Sequence, residues 1–481
     1  MSKRSALPGI IISSGLTVIS ALFVIFVYYT YLLPWKYLLL TAGFLSMFVG
    51  AVWLLTARCE KIVRFVIGCV ITVLCIAAMV VAFLALRHLT GTIKNIIYNK
   101  TEVAQVSVFV KAEDPAQNLD DAADYTYCIL KSIDRQCVDL TVVKINEELN
   151  MTVSIEEYEA LVPLVDAVLN GEKRAIIISY ELLDTLTETE LYEDLMSKFR
   201  EIAVKHIEVE VPEQPIINVE SKPSGVFQMY ISGIDRYGSV NSRSRSDVNI
   251  IATVNTNTRE ILLVTTPRDY YVPLPISNGV PDKLTHAGIY GIECSKGTLE
   301  MLYDIDIDYF FRVNFTGFSK IIDVIGGVEV YSTKTFNVYD GKYYYYEGYN
   351  HMHGDMALDF ARARRQFGDS FRANNQMEVI KAVINKLSTS TALLENYVPL
   401  MESIGDSFQC SMSYETIASL VRKQLDTMES WHVTTYAVKG TGAKRVPYSS
   451  NHNSFVYIPD MDTVEIAKQK MQAVINGEIL E

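Results

Sequence analysis

The sequence predicts an α/β protein: three N-terminal transmembrane helices, a small α/β accessory domain, and a larger α/β domain reached through a linker. Three observations carry this expectation. Uncharged apolar runs extend from Gly9 to Leu33, Tyr37 to Ala57 and Phe65 to Leu86. Strand-like and helix-like segments alternate from Val103 to Val211 and again from Val226 onward, the habit of layered α/β units. Between them VPEQPIINVESKPSG is rich in proline and ends in Ser-Gly, a linker composition. The expected boundaries are 1–90 for the membrane region, 100–212 for the accessory domain, 213–225 for the linker and 226–481 for the larger domain. A chain of 481 residues is too long for one ordinary core, which agrees with this division.

Each apolar run reaches the length of about 20 residues that a helix needs to cross a bilayer core. A cleavable signal peptide fits poorly, because its apolar region is only roughly 7 to 15 residues long. Lys3 and Arg4 precede the first run, Arg58, Lys61 and Arg64 separate the second from the third, and the loop between the first two carries Lys36 as its one basic residue. That asymmetry puts the amino terminus in the cytoplasm and everything after the third span outside the cell. Tyr28, Tyr29, Tyr31 and Trp35 sit where an interfacial aromatic belt belongs. A net charge of -13 argues against a general nucleic-acid binder. The scattered cysteines form no CxxC or Cys/His cluster, so a zinc site is not expected; an exported domain allows a Cys128–Cys137 bridge, but two free buried thiols are the favoured expectation.

In the accessory domain VAQVSVFV reads as a strand, Tyr125 to Ile133 as an amphipathic stretch, and SIEEYEALVPLVDAVLNG as a helix. That helix opens on Ser154 and Glu157 in capping-box spacing and stops at Gly171. RAIIISY then reads as a strand and ELYEDLMSKFREIAVK as a helix. No chemical constellation stands out here, and the domain reads as a spacer or partner-binding module. In the larger domain VFQMYISGID, the pair within DVNIIATVNTNTREILLVTT, DYFFRVNF, VEVYS and WHVTTYAV read as strands. KGTLEMLYDI, TGFSKIIDVIGG, SYETIASLVRKQLDTM and TVEIAKQKMQAVING read as helices.

Polar residues that break this pattern gather at element ends. Asp235 follows one strand, Arg243, Arg245 and Asp247 precede the next, and Arg268 and Asp269 follow ILLVTT. MALDFARARRQFGDSFRANNQ then supplies Arg362, Arg364, Arg372 and Gln376. Arg362 and Arg364 share a face if they lie in an extended exit from the preceding helix; within a helix they would diverge by about 200°. Val379, Ile380, Val383, Ile384 and Leu387 form an apolar stripe which, projected back, meets Gln376 and Arg372 in the first turns of a helix starting near Asp369. A helix amino terminus with an inward arginine suits a bound anion, and converging guanidinium forks suit phosphate. Asp235 and Asp247 beside phosphate oxygens suit Mg²⁺. The blander expectation is solvated pairs, Arg245 with Asp247 and Arg268 with Asp269. His286 is expected to be structural rather than a general base, and YYYYEGY to be an exposed hairpin or rim.

At these residues the chain resembles the LytR-CpsA-Psr family of Gram-positive cell-envelope proteins. SGIDRYG, RSDVNIIATVN, TTPRDYYVP, DKLTHAGIYG, DYFFRVNFTGFSKIIDVIGGVEV and MALDFARARRQFGDSFRANNQ occur in family order between Gly225 and Leu387. The three spans and the small domain are similar to the capsule-type, streptococcal CpsA-like branch. The resemblance implies an α-β-α layered domain with an apolar tunnel for a polyprenyl chain. It implies an enzyme that moves a glycopolymer from an undecaprenyl-pyrophosphate carrier to a peptidoglycan sugar hydroxyl. By motif, Asp235 and Asp247 are similar to the family's Mg²⁺ ligands and, with Arg268, to its catalytic residues. Arg245, Arg268, Arg362, Arg364, Arg372 and Gln376 are similar to its pyrophosphate clamp. Phe371 and Met377 depart from the Gly and second Gln of many members, which implies a reshaped wall around a surviving clamp. The rival class is a non-enzymatic polyprenyl-phosphate binder that regulates capsule synthesis or export, with proteins of those systems as partners.

Overall fold

A computed structural model describes residues 7–30, 34–56, 62–97, 101–210, 225–234, 239–338, 342–364, 367–389 and 407–480. The linker at 211–224 and Asp235 therefore lie outside the described residues. Three helices come first: α1 (Leu7–Tyr29), α2 (Trp35–Thr56) and α3 (Ile62–Ile97), each long and apolar enough to cross a membrane. Their buried hydroxyls are satisfied either by a neighbouring helix or by a backbone carbonyl of their own, as lipid surroundings require. Ser13 Oγ and Thr56 Oγ1 are 2.7 Å apart, and Ser20 Oγ donates to Met79 Sδ.

A five-stranded sheet in the order β3-β2-β4-β1-β5 follows, built from β1 (Thr101–Lys111), β2 (Thr126–Leu130), β3 (Ser154–Tyr158), β4 (Ala175–Ser179) and β5 (Phe199–Glu210). Helices α4 (Arg135–Leu149), α5 (Leu161–Leu169), α6 (Tyr180–Asp184) and α7 (Leu195–Lys198) pack around it. Here the sequence expectations need correction. Ser154–Tyr158 is a strand paired in parallel with β2, and the helix starts only at Leu161. Pro163 explains why: it fits the first turn of a helix begun at Leu161 but would break one begun at Ser154. The stretch around Thr126–Leu130 is a buried strand between β3 and β4 rather than an amphipathic surface segment. The last expected helix ends at Lys198, because Phe199–Glu210 pairs along the whole of β1 and sheet formation overrides local propensity. Gly171 does stop α5's turn, with φ +76°.

The larger unit is a three-layer α-β-α sandwich. Its sheet runs β16-β11-β6-β7-β8-β17. The strands are β6 (Val226–Ile234), β7 (Ser246–Asn255), β8 (Glu260–Thr265), β11 (Tyr309–Asn314), β16 (Phe408–Cys410) and β17 (His432–Ala437). Alternate residues divide between two cores: Ile250, Ala252, Ile261 and Leu263 on one face, Ile251, Leu262 and Val264 on the other. The second face is covered by α8 (Ile292–Tyr303), with the chain between β8 and α8 forming the short ribbon β9 (Tyr271–Pro273) and β10 (Pro281–Lys283). The first face is covered by α9 (Phe315–Val324), α10 (Gly354–Arg362) and α11 (Asp369–Thr389). Between α9 and α10 run β12 (Val328–Ser332), β13 (Phe336–Asn337), β14 (Tyr344–Tyr345) and β15 (Gly348–Met352). The tyrosine-rich stretch is divided between two ribbons, β14 pairing with β13 and β15 with β12; Tyr344, Tyr346 and Tyr349 are exposed, whereas Tyr345 is buried in the core and Tyr343 packs half-buried against it. Helix α12 (Tyr414–Thr427) and the terminal α13 (Met461–Ile475) complete the layers. A Cβ on Gly354 would lie 2.1 Å from the Ser319 carbonyl oxygen, so glycine there lets α10 approach α9.

The two α/β units are joined by buried contacts. Val103 N donates to Asn241 O at 2.8 Å and Arg243 N to Val103 O at 2.9 Å. Glu102, on β1, accepts from Arg312 Nη1 at 2.6 Å and from Ile292 N at 3.0 Å, with Arg243 Nε 3.4 Å away. Both Glu102 and Arg312 are almost wholly buried. The accessory unit is docked, which a free spacer would not be. Cys128 and Cys137 are both free, buried thiols. Burial, the largest influence, pushes the Cys137 thiol up to about 12, so it is an inert core group.

Glu102→Ala strands the Arg312 charge in the core and is expected to cost about 3–5 kcal/mol of stability in denaturant unfolding. Glu102→Leu combined with Arg312→Met is expected to recover most of that loss.

Candidate functional site

A cavity of about 670 Å³ lies between the first face of the large sheet and α9–α11. Ile231, Val248, Phe311 and Val313 form its floor, and Phe318 and Ile321 of α9 one wall. Helix α11 supplies the other wall. Its Arg372, Gln376, Ile380, Val383, Ile384 and Leu387 all line the cavity, so one face of one helix runs from cation to hydrocarbon. The start of that helix follows Gly368, whose φ of +82° sets the sharp entry. Val379, the remaining member of the stripe, is fully buried in the adjoining core.

The exit from α10 is extended, with Ala363 at φ −62°, ψ 100°. Arg362 and Arg364 flank Ala363, and both line the cavity. Arg362 Cζ lies 4.3 Å from the centroid of the Phe315 ring, a cation–π contact that orients the guanidinium. Gln376 has a further task that the sequence did not reveal. Its Nε2 donates to Ala361 O at 3.3 Å, and neighbouring Asn375 Nδ2 donates to Phe360 O at 3.0 Å. The pair ties the start of α11 to the end of α10 and fixes the segment that carries the two arginines.

Asp247 and Arg268 enter from the sheet. Strands β7 and β8 are antiparallel, so the start of one lies beside the end of the other. Arg268 Nη1 donates to Asp247 Oδ1 at 2.7 Å, and Thr285 Oγ1 donates to the same oxygen at 3.2 Å. Arg268 also lies 3.6 Å from Asp269 Oδ2 and 3.6 Å from Glu188 Oε1. Burial opposes its charge, but Asp247, Asp269 and Glu188 outweigh that and raise its pKa further. Sheltered ion pairing thus replaces the solvated pairs expected for these residues.

Arg245 is placed differently from the expectation. It is absent from the lining of the cavity, because Asp184 Oδ2 at 2.6 Å and Glu188 Oε1 at 2.9 Å hold its guanidinium against the accessory unit. Asp235 lies outside the described residues, directly after β6. Phe371 and Met377 also differ from expectation: they do not line the cavity but pack in the core. The Phe371 ring is 5.2 Å from Phe336 and 4.7 Å from Phe367. His286 is buried and structural, with Nδ1 donating to Asp282 Oδ1 at 2.7 Å. Burial lowers its pKa, but Asp282 and Glu188 outweigh this and push it up to about 9. Asp359 lines the cavity and was not singled out, although it sits within the quoted LDFARAR.

Among the described residues no cluster of three His, Cys, Asp or Glu side chains is arranged to hold a metal. Asp247 nonetheless fits a magnesium ion. Both of its hydrogen bonds fall on Oδ1, leaving Oδ2 as a hard oxygen donor in a cavity wall. Magnesium typically takes one or two carboxylates and completes its shell with phosphate oxygens and water.

A layered α/β fold carried on three apolar helices, with a cavity apolar along its length and cationic at one end, defines a membrane-anchored protein. It is shaped to receive a long apolar molecule with an anionic head. The chain belongs to the LytR_cpsA_psr family, whose family model matches residues 194–473. It is similar to a Bacillus subtilis protein named polyisoprenyl-teichoic acid–peptidoglycan teichoic acid transferase TagT. The identity is 29% over 252 residues, covering 49% of this chain and 77% of that one. A Bacillus cereus protein with the corresponding name TagU is 29% identical over 215 residues, 44% and 69% of the two chains. Among solved structures, that of B. subtilis TagV is 23% identical and covers 52% of this chain and 97% of its own, with a TM-score of 0.44.

Ile384→Asp places a carboxylate in the apolar half of the cavity without disturbing the arginines. Binding of a long-chain prenyl phosphate, measured by equilibrium dialysis, is expected to weaken by about tenfold or more. Unchanged binding would mean that the ligand sits elsewhere.

Proposed function

We propose that the chain is a phosphotransferase that moves a glycopolymer, specifically a capsular polysaccharide, from undecaprenyl diphosphate to a sugar hydroxyl of peptidoglycan. The observation that carries this reading is the single cavity shared by four arginines, Gln376 and the apolar stripe from Ile380 to Leu387. Relatives named as polyisoprenyl-linked teichoic acid transferases support glycopolymer transfer to peptidoglycan. The three apolar helices ahead of a small α/β unit are the basis for the capsule-type substrate. The basic residues flanking the first three helices support an amino terminus in the cytoplasm and a cavity outside. Anchoring then keeps the cavity beside its lipid-linked donor and raises their effective concentration.

In the reaction, the acceptor hydroxyl oxygen attacks the sugar-proximal phosphorus. The bond from that phosphorus to the bridging oxygen of the diphosphate breaks, and polyprenyl phosphate leaves with the electron pair. The hydroxyl proton passes to a carboxylate lining the cavity, where Asp247 and Asp359 stand. Arg268, Arg362, Arg364 and Arg372 orient the diphosphate and neutralise the charge that grows on its oxygens. The apolar wall holds the prenyl chain so that the phosphorus presents one face to the acceptor. Magnesium, held by Asp247 and Asp235, would supply further charge neutralisation at those oxygens.

Arg362→Ala with Arg364→Ala is expected to reduce turnover of a polyprenyl-diphosphate-linked glycan by about 100-fold or more. In cells the polymer would still be made and exported but no longer attached to the wall. Normal attachment by the double variant contradicts the proposal. Tight binding of the donor without turnover by the wild-type chain would instead identify a lipid-phosphate binder.

A further inference from the structure

We infer that the small α/β unit contributes a positioning residue, Glu188, to the cationic end of the cavity, an inference that rests on the phosphotransferase reading. Glu188 closes the short helical turn Thr185–Glu188, in the accessory unit and far in sequence from every other residue of the site. Its carboxylate meets four cationic side chains of the larger unit. Oε1 lies 2.9 Å from Arg245 Nη1 and 3.6 Å from Arg268 Nη2. Oε2 lies 2.5 Å from Lys283 Nζ and 3.8 Å from His286 Nε2. Burial disfavours the ionised carboxyl, but the His286 and Lys283 charges hold it well below the usual carboxylate range.

One of these four partners, Arg268, lines the cavity. Its guanidinium is bracketed by Asp247 at 2.7 Å on the cavity wall and by Glu188 on the accessory unit. Asp269 Oδ2, 3.6 Å from Nε, completes the set, so each of the three guanidinium nitrogens has its own carboxylate and Glu188 is the one that comes from the accessory unit. Glu188 also anchors Arg245 and Lys283, keeping two further cations at fixed positions behind Arg268. The simpler account is that this network only joins the two units. Glu102 already does that, and its partners Arg312, Arg243 and Ile292 do not line the cavity. Among the described residues, the larger-unit side chain that Asp184 pairs with is Arg245, which stays outside the cavity too. Among the described residues, Glu188 is therefore the accessory-unit carboxylate whose contact reaches the cavity lining.

Glu188→Gln keeps the shape and removes the charge. Arg268 then keeps Asp247 and Asp269 but loses the anion it shares with Arg245, Lys283 and His286, and with it the hold on its Nη2 side. Ground-state attraction for a diphosphate persists or grows, because an anion has been removed nearby, while alignment in the transition state is lost.

The test uses the full-length chain in lipid nanodiscs, geranylgeranyl diphosphate as the binding probe, and a polyprenyl-diphosphate-linked disaccharide with peptidoglycan fragments for turnover. For Glu188→Gln the expected result is a kcat about tenfold lower or more per folded molecule, with Kd for geranylgeranyl diphosphate unchanged or tighter. Glu188→Asp, which restores the charge with a shorter reach, is expected to be intermediate. Asp184→Asn is expected to stay within about twofold of wild type. Wild-type kcat in folded Glu188→Gln overturns the inference, as does an increased kcat, which would identify an inhibitory contact. Should Glu188→Gln fail to fold, full wild-type kcat in Glu188→Asp overturns it equally. A wild-type chain that neither binds the probe nor turns over the donor overturns the phosphotransferase reading and this inference with it. Wild-type turnover beside unaffected Glu188 variants overturns the inference alone.

Discussion

Guanidinium groups from distant parts of the chain are brought to one end of an apolar cavity, and the rest of the structure is organised around that constraint. Among the described lining residues there are four arginines, Arg268, Arg362, Arg364 and Arg372, and two carboxylates, Asp247 and Asp359. Like charges at such a site repel, and low-dielectric walls strengthen the repulsion. The fold therefore holds three of them separately: Arg268 by carboxylates, Arg362 against the Phe315 ring, and Arg372 in the first turns of α11. Gln376 and Asn375 brace the α10 exit with two hydrogen bonds to backbone carbonyls. A molecule with an anionic head and a long apolar tail satisfies both halves of the cavity at once.

The relation of the cavity to the membrane helices follows from the same packing. Helix α3 packs against β16 and α12, and Phe408 of β16 lines the cavity. Lys36, in the first turn of α2, donates to Asp426 O at 2.5 Å. The membrane segments and the larger unit thus meet at the β16 edge of the sheet. The accessory unit meets it at the cationic end through the half-buried Glu188 beside Arg268.

Much of the cavity was legible in the sequence because its residues violate a local rule. An arginine and an amide on the buried stripe of α11, and charged residues at the ends of strands, stand out against hydrophobic periodicity. The alternation of elements in the larger unit was legible for the same reason. The accessory unit was less so. Its strand at Ser154–Tyr158 imitates a capping box, and Phe199–Glu210 carries residues that suit a helix until pairing with β1 makes it a strand. Arg245 and Glu188 were illegible for a deeper reason. Their pairing joins two separately folded units, and nothing near either residue in the sequence marks the other. Phe371 misled in the opposite direction: adjacent to Arg372, it points into the Phe336 and Phe367 cluster because successive helical side chains diverge by about 100°.

The central claim is that these arginines and the apolar wall of α11 hold the two halves of one molecule. An experimental structure of the chain with geranylgeranyl diphosphate bound tests it most directly. The account predicts phosphate oxygens at about 3 Å from guanidinium nitrogens of Arg268, Arg362, Arg364 and Arg372. It also predicts the prenyl chain lying along Ile380, Val383 and Ile384. A lipid seated outside this cavity, or inside it with its diphosphate turned away from the arginines, would contradict the account.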